Sequence, residues 1–250
     1  MGLSRRAAAA SLLLLLAGPL FAEEVPADEL GARLEGLFSA MARAAGELTD
    51  YSCTFTKQEY VGGKLLPTET ILLKQSRPIG CVYMKWIAEP EKNRETIYCP
   101  ARNGGKLQVH EGGGVASWLG TLSLDPLGTL AMKGQRHPIT EAGIFYTIDT
   151  IRRSFARERQ SARRGDVGDA NVEGQPSLCA AIAPGESPDQ QGYASMRTEI
   201  CSHRTLHLPT RVRLWEPDGQ LVEHYTYRDY RLNPGLTERD FDTANHDYGF

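Results

Sequence analysis

Apolar positions along the chain change their period as it proceeds. Leu30, Leu34, Leu37, Phe38, Met41, Ala45 and Leu48 recur at intervals of three and four, the spacing that gathers side chains into one stripe of a helix. Asp28, just ahead of the stripe, is a residue type suited to cap it. From Tyr51 the period falls to two: Tyr51, Cys53 and Phe55 alternate with Ser52, Thr54 and Thr56, which predicts a strand. Gly62-Gly63 then turns the chain into a second strand over 69–75.

The next strand covers 81–87, and Pro90 marks a turn into a strand over 94–99. Folding this hairpin about Pro90 sets Lys85 against Glu95, Tyr83 against Ile97 and Cys81 against Cys99. One opposite-charge pair and one apolar pair in a single register favour it, because directly opposed side chains stabilise a sheet. The other face then collects Val82, Met84, Trp86 and Tyr98. Asn103-Gly104-Gly105 opens a further arm over 106–110, followed by Gly112-Gly113-Gly114. From 118 to 143 the pattern is irregular, broken by Asp125-Pro126 and His137-Pro138. Thr140 is placed to cap a second helix with the stripe Ile144, Ile148, Ile151 and Phe155. A polar loop over 161–175 leads to strands at 177–183 and 193–202. Strands at 210–215 and 220–230 flank Glu216-Pro217-Asp218-Gly219, a strong turn signal. Antiparallel hairpins with one helix at the start and another in the middle make an α+β arrangement.

The first 22 residues stand apart. Arg5 and Arg6 precede an apolar run, Gly18-Pro19 breaks it, and Ala22 meets Glu23-Glu24, the layout of a secretory signal peptide cleaved after about Ala22. The expected mature protein is periplasmic and soluble, and it is not lipid-anchored, since the first cysteine is Cys53. It comprises residues 23–250 as a single domain. Losing Arg5 and Arg6 takes the net charge of −3 to about −5, so nucleic acid is excluded as a partner: phosphate binding requires a basic patch. The one basic cluster, Arg152, Arg153, Arg157, Arg159, Arg163 and Arg164, falls at the end of the second helix, where cations complement the dipole. No other segment is apolar for long enough to insert stably in a membrane.

Export makes disulfides reasonable. Cys81 and Cys99 mirror each other about Pro90, and Cys179 and Cys201 mirror each other about Gln190, so each pair is placed for a cross-strand bridge. Small buried thiols are the alternative, and Cys53 is left as a core residue of the first strand.

Catalytic and metal signals are weak. Ser117 lies too far from the glycine triplet for a nucleophile elbow, His203 and His207 precede a turn rather than sharing a helical face, and Asp166 and Asp169 lack the later carboxylates of a calcium loop. No catalytic residue, metal site or cofactor is assigned. Arg136 and His137 form the one polar cluster of interest, able to bind an acidic group or to act as a base but read as a structural hydrogen bond joining loop to helix.

The segment "LPTRVRLWEPDGQLVEHYTYRDYRLNPGLTERDFD", with "YSCTFTKQE" and "DPLGTLAMKGQRHPITEAGI", resembles a bacterial family of uncharacterised exported proteins related to the LolA/LolB periplasmic lipoprotein carriers. The resemblance implies a curved antiparallel sheet forming an incomplete, half-open β-barrel closed by helices over an apolar cavity. Phe55, Val82, Met84 and Trp86 are then candidate lining residues, with Ile144 and Ile148 on the lid. The implied function is a carrier for lipid, lipoprotein acyl chains or other hydrophobic cargo. The alternatives are a sensing module on the same fold that recognises an envelope protein, and an enzyme centred on His137 with Arg136 and Asp125.

Overall fold

The computed structural model describes residues 27–113, 120–158, 164–183 and 196–250. The signal-like segment, Gly114, Ser117, Arg159, Arg163 and the start of the strand expected at 193–202 lie outside the described residues. Twelve strands build one curved, unclosed antiparallel sheet with two helices, the incomplete barrel expected above.

Helix α1 spans Ala27–Gly46. Its whole apolar stripe is buried, and Asp28 and Glu29 occupy its first turn while Arg43 sits in its last, each complementing the helix dipole. Asp28 is thus inside the helix rather than ahead of it. Fully burying a leucine or phenylalanine contributes about 1.5–3 kcal/mol, so this stripe outweighs the polar remainder of the helix in deciding where it packs.

The strands in chain order are β1 (Asp50–Val61), β2 (Lys64–Leu65), β3 (Glu69–Ser76), β4 (Cys81–Trp86), β5 (Glu95–Tyr98), β6 (Leu107–His110), β7 (Leu122–Leu124), β8 (Arg164–Val172), β9 (Gln175–Ala183), β10 (Arg197–His203), β11 (Pro209–Trp215) and β12 (Leu221–Leu232). Across the sheet the order is β7-β6-β5-β4-β3-β1-β12-β11-β10-β9-β8, with β2 paired to β1. The chain therefore builds two meanders and joins them by laying β12 against β1. Between them comes α2, Ile144–Glu158.

The register of the β4–β5 hairpin is the expected one, with Tyr83 opposite Ile97 and Lys85 opposite Glu95. Both cysteine pairs are bridged, Cys81 to Cys99 and Cys179 to Cys201, and Cys53 is free and buried. The convex face over β4 and β5 is covered by the C-terminal residues: Tyr248 stacks on Tyr83 with ring centroids 4.2 Å apart, and Lys74 donates to Asp240 at 2.8 Å.

Three further expectations need correction. The 161–175 segment contains β8, paired with β9 over nine residues from Arg164↔Ala183 to Val172↔Gln175. Its Asp, Gly and Asn content hides a strand whose stability comes from that ladder and from buried Val167 and Val172. The irregular stretch before α2 contains the short edge strand β7, paired with β6. Thr140 lies in a 3₁₀ turn, Ile139–Glu141, and α2 starts three residues later than a Thr140 cap would place it. Gly143 sets the start, with φ +88° at a site where a Cβ would collide with the Gln75 side chain. The Ile144 N–H then donates to the Tyr51 hydroxyl at 2.8 Å, which itself donates to Gln75. The first turn of α2 is thus tied to β1 and β3 by side chains instead of by a local cap.

Candidate functional site: a cavity under the second helix

A cavity of about 740 Å³ lies between the concave face of the sheet and α2. Its apolar wall includes Phe55, Ile71, Met84, Trp86, Leu107 and Val109 on one side and Ile182, Ile200, Val212 and Leu214 on the other. Phe55 stacks on Tyr227 across the β1–β12 junction with centroids 5.0 Å apart. From α2 the wall receives Tyr146, Thr147, Thr150, Ile151, Ser154 and Phe155.

The structure thus places Phe55, Met84 and Trp86 on the wall. Val82, Ile144 and Ile148 are not there but are buried in the main core with the α1 stripe. Val82 shares the concave face with Met84 and Trp86, yet sits at the end of β4 that the helices fill. Ile144 and Ile148 belong to the side of α2 turned toward the core, and the helix presents its more polar side to the cavity.

One end of the cavity is ionic. Alternation along β1 continues past Phe55 to Lys57 and Glu59, and β12 supplies Glu223, Tyr225 and Tyr227 in register, with Phe55 opposite Tyr227, Lys57 opposite Tyr225 and Glu59 opposite Glu223. The side chains of Lys57, Glu59 and Glu223 are only 8%, 5% and 3% exposed. Two opposed carboxylates repel, the more so when desolvated, and the segment after β7 supplies what offsets this. The Arg136 N–H donates to Glu59 Oε2 at 3.0 Å and its Nε–H to Glu223 Oε1 at 3.0 Å. His137 Nε2 lies 3.1 Å from Glu223 Oε1 and Nδ1 2.8 Å from Glu141 Oε2. Tyr225 donates to Glu59 Oε1 at 2.6 Å. Lys57 sits 3.4 Å from Glu59 and 3.7 Å from Glu69, and the Trp86 indole N–H also donates to Glu69.

Titration follows from this geometry. Burial pushes the Glu59 carboxyl up, but Lys57, the Tyr225 hydroxyl, the Arg136 N–H and His137 together hold it below the usual range. Burial works against the charged imidazole of His137, yet the bond to and charge of Glu223, with the bond to Glu141 and the charge of Glu59, raise its pKa to about 9. An imidazolium held between two carboxylates has no lone pair to serve as a general base near neutral pH. Asp125 pairs with Lys106 at 3.7 Å and accepts from the Leu127 N–H, so the structure does not bring it to His137. His137 joins its loop to the sheet as well as to the 3₁₀ turn, a wider role than the loop-to-helix bond expected.

Sequence reasoning missed Lys57, Glu59, Glu69 and Glu223. The signal for the first two was present, since they fall in phase with Tyr51, Cys53 and Phe55. Elsewhere, Asp166 and Asp169 lie on β8 and pair with Arg33 and Arg204, and His203 Nδ1 accepts from the Leu206 N–H in the β10–β11 turn. Among the described residues there is no group of three or more His, Cys, Asp or Glu able to hold a metal, and no helix long and apolar enough to cross a membrane.

Fold and site together define an open antiparallel half-barrel whose second helix roofs an amphiphilic cavity. The chain belongs to DUF1571, a family described as a protein of unknown function, whose model matches residues 48–250. No curated protein matches it. Among solved structures it is similar to MucB, at 17% identity and a TM-score of 0.47 over 84% of this chain and 62% of that one. It is also similar to the lipoprotein LppX from Mycobacterium tuberculosis, at 10% identity and a TM-score of 0.47 over 84% and 99% of the two chains. A LolA superfamily protein from Nitrosomonas europaea is matched at 7% identity and a TM-score of 0.35 over 84% and 97%. The chain spans less than two thirds of the length of MucB.

Proposed function

We propose that the protein is a periplasmic binding or carrier protein for hydrophobic cargo, a lipid or the acyl chains of a lipoprotein, acting by shielding apolar surface without covalent chemistry. The observation that carries this reading is the 740 Å³ cavity. Its size falls within the roughly 300–1,000 Å³ of ligand pockets, which are mostly apolar with a few placed polar groups. The two disulfides support an oxidising compartment, where such bridges persist.

The test is lipid analysis by mass spectrometry of protein purified from its native host, paired with uptake of a fluorescent acyl probe. Co-purifying amphiphiles displaced by the probe support the carrier. Protein that is consistently empty and takes up no probe counts against it, and a stable protein partner without lipid would favour the sensing module.

A further inference from the structure

Ionic side chains on the cavity wall fall into two sets, Arg94 paired with Glu91 and Glu111 and the set around Glu223, and the balance of the second is specific. Three cations stand there and each is already engaged. Lys57 lies between Glu59 and Glu69 and donates to Gln135. Arg136 donates to Glu223 and to the Tyr60 carbonyl. His137 bridges Glu141 and Glu223. Against them stand four carboxylates, Glu59, Glu69, Glu141 and Glu223, so with the imidazole charged this end still carries one uncompensated negative charge, and with it neutral two.

Hydrogen-bond capacity points the same way. Arg136 Nε and His137 Nε2 both converge on Oε1 of Glu223, and Oε2 receives no hydrogen bond from the described residues. An acceptor is therefore spare on a cavity-lining carboxylate whose side chain is 3% exposed, while the cations have carboxylates beside them. Lys133 is exposed at the mouth, where water and salt screen it.

We infer that this end of the cavity receives the polar end of an amphiphilic cargo and selects a cationic, hydrogen-bond-donating group such as a primary ammonium over a carboxylate or phosphate. This rests on the carrier reading and specifies its cargo. An ammonium brings three donors and no acceptor, satisfies the spare oxygen of Glu223 and neutralises the excess charge. An anionic group meets unbalanced carboxylates in a desolvated setting, and reaching a cation requires it to break an existing pair. Meanwhile the chain of the amphiphile lies against Phe55, Met84 and Trp86 under either headgroup, so chain contacts do not discriminate.

The test is isothermal titration with three chain-matched probes below their micelle-forming concentrations, near neutral pH and at low ionic strength: dodecylammonium, monododecanoylglycerol and dodecanoate. Dodecylammonium is expected to bind about tenfold or more tightly than dodecanoate, with the glyceride between them, and added salt should narrow the gap. Glu223→Gln should reduce the advantage of the ammonium over dodecanoate. The wild-type ranking stands alone if that variant does not fold. Glyceride binding with dodecanoate equal to or tighter than dodecylammonium overturns the headgroup inference and leaves the carrier reading intact. Failure of all three probes to bind overturns both.

Discussion

Replacing His137 by glutamine removes one charge from the ionic end of the cavity, and the resulting change in stability should depend on pH in a defined way. The imidazole lies 2.8 Å from Glu141 and 3.1 Å from Glu223, and its pKa is raised from 6.5 to about 9. That difference corresponds to roughly 3 kcal/mol of preference for the imidazolium in the folded state over the unfolded chain. At 26% exposure the side chain is sheltered enough for most of this to survive screening. Because the folded-state value is the higher one, the contribution is fully present below about pH 6.5, falls through the interval up to about pH 9 and is absent above it. Urea denaturation of wild type and His137→Gln across about pH 6 to pH 10, extrapolated to water, should show a stability gap that is largest at the acid end and shrinks by roughly 3 kcal/mol toward the alkaline end. A gap that is constant with pH, or that widens as pH rises, would refute the assignment of a charged His137 bridging two carboxylates.

Each disulfide closes a loop, with cysteines 18 and 22 residues apart. Cys81→Ser/Cys99→Ser and Cys179→Ser/Cys201→Ser are each expected to lower stability by about 3 kcal/mol under oxidising conditions, a difference that thermal melts with and without reductant should abolish. Ile144→Ala should destabilise by about 2–5 kcal/mol while leaving the affinity of an acyl probe unchanged. Met84→Glu should weaken that probe strongly, and the reverse pattern in paired melts and titrations would show the cavity to be misplaced. Burial pushes the Cys53 thiol well up, so a thiol-specific reagent should label it only after unfolding; labelling of native protein at the rate of a free thiol would contradict its position in the core.

How far the sequence could be read depended on whether the determinant was local. The α1 stripe, the β4–β5 register and both cysteine pairings are set by spacing within one element or one hairpin, so residues such as Tyr83, Ile97, Cys179 and Cys201 were legible. Strand β8 was not, because Asp166, Gly168 and Asn171 have poor strand propensity and their conformation is imposed by the β9 ladder. The start of α2 escaped for a similar reason: Tyr51 is 93 residues away from the N–H it accepts. Val82, Ile144 and Ile148 could be assigned to an inward face from period alone, but period does not say which stretch of that face is filled by helices. The ionic end was readable only in half, since Lys57 and Glu59 continue the alternation of β1, whereas Glu223 becomes their neighbour only when β12 closes against β1.

The open sheet explains why a cavity persists instead of collapsing into core. Closing the barrel would require β7 to pair with β8, and the strand order ends at these two. Strand β7 is only three residues long, and on the other side Arg33 of α1 donates to the Val167 carbonyl of β8, so one edge is short and the other is attended by a helix. Helices therefore occupy the place that strand pairing would take. α1 fills its share with Leu34, Leu37, Phe38 and Met41. α2 fills its share only in part: Ile144, Ile148 and Phe155 pack into the core, whereas its cavity side carries the short Thr147, Thr150 and Ser154, of which Thr147 comes within 3.4 Å of the Tyr227 hydroxyl. At the floor, Glu59 and Glu223 require charged or donating partners that apolar packing cannot supply. Short side chains above and opposed carboxylates below both hold space open, and together they favour an occupant with an apolar body and a donor-rich end.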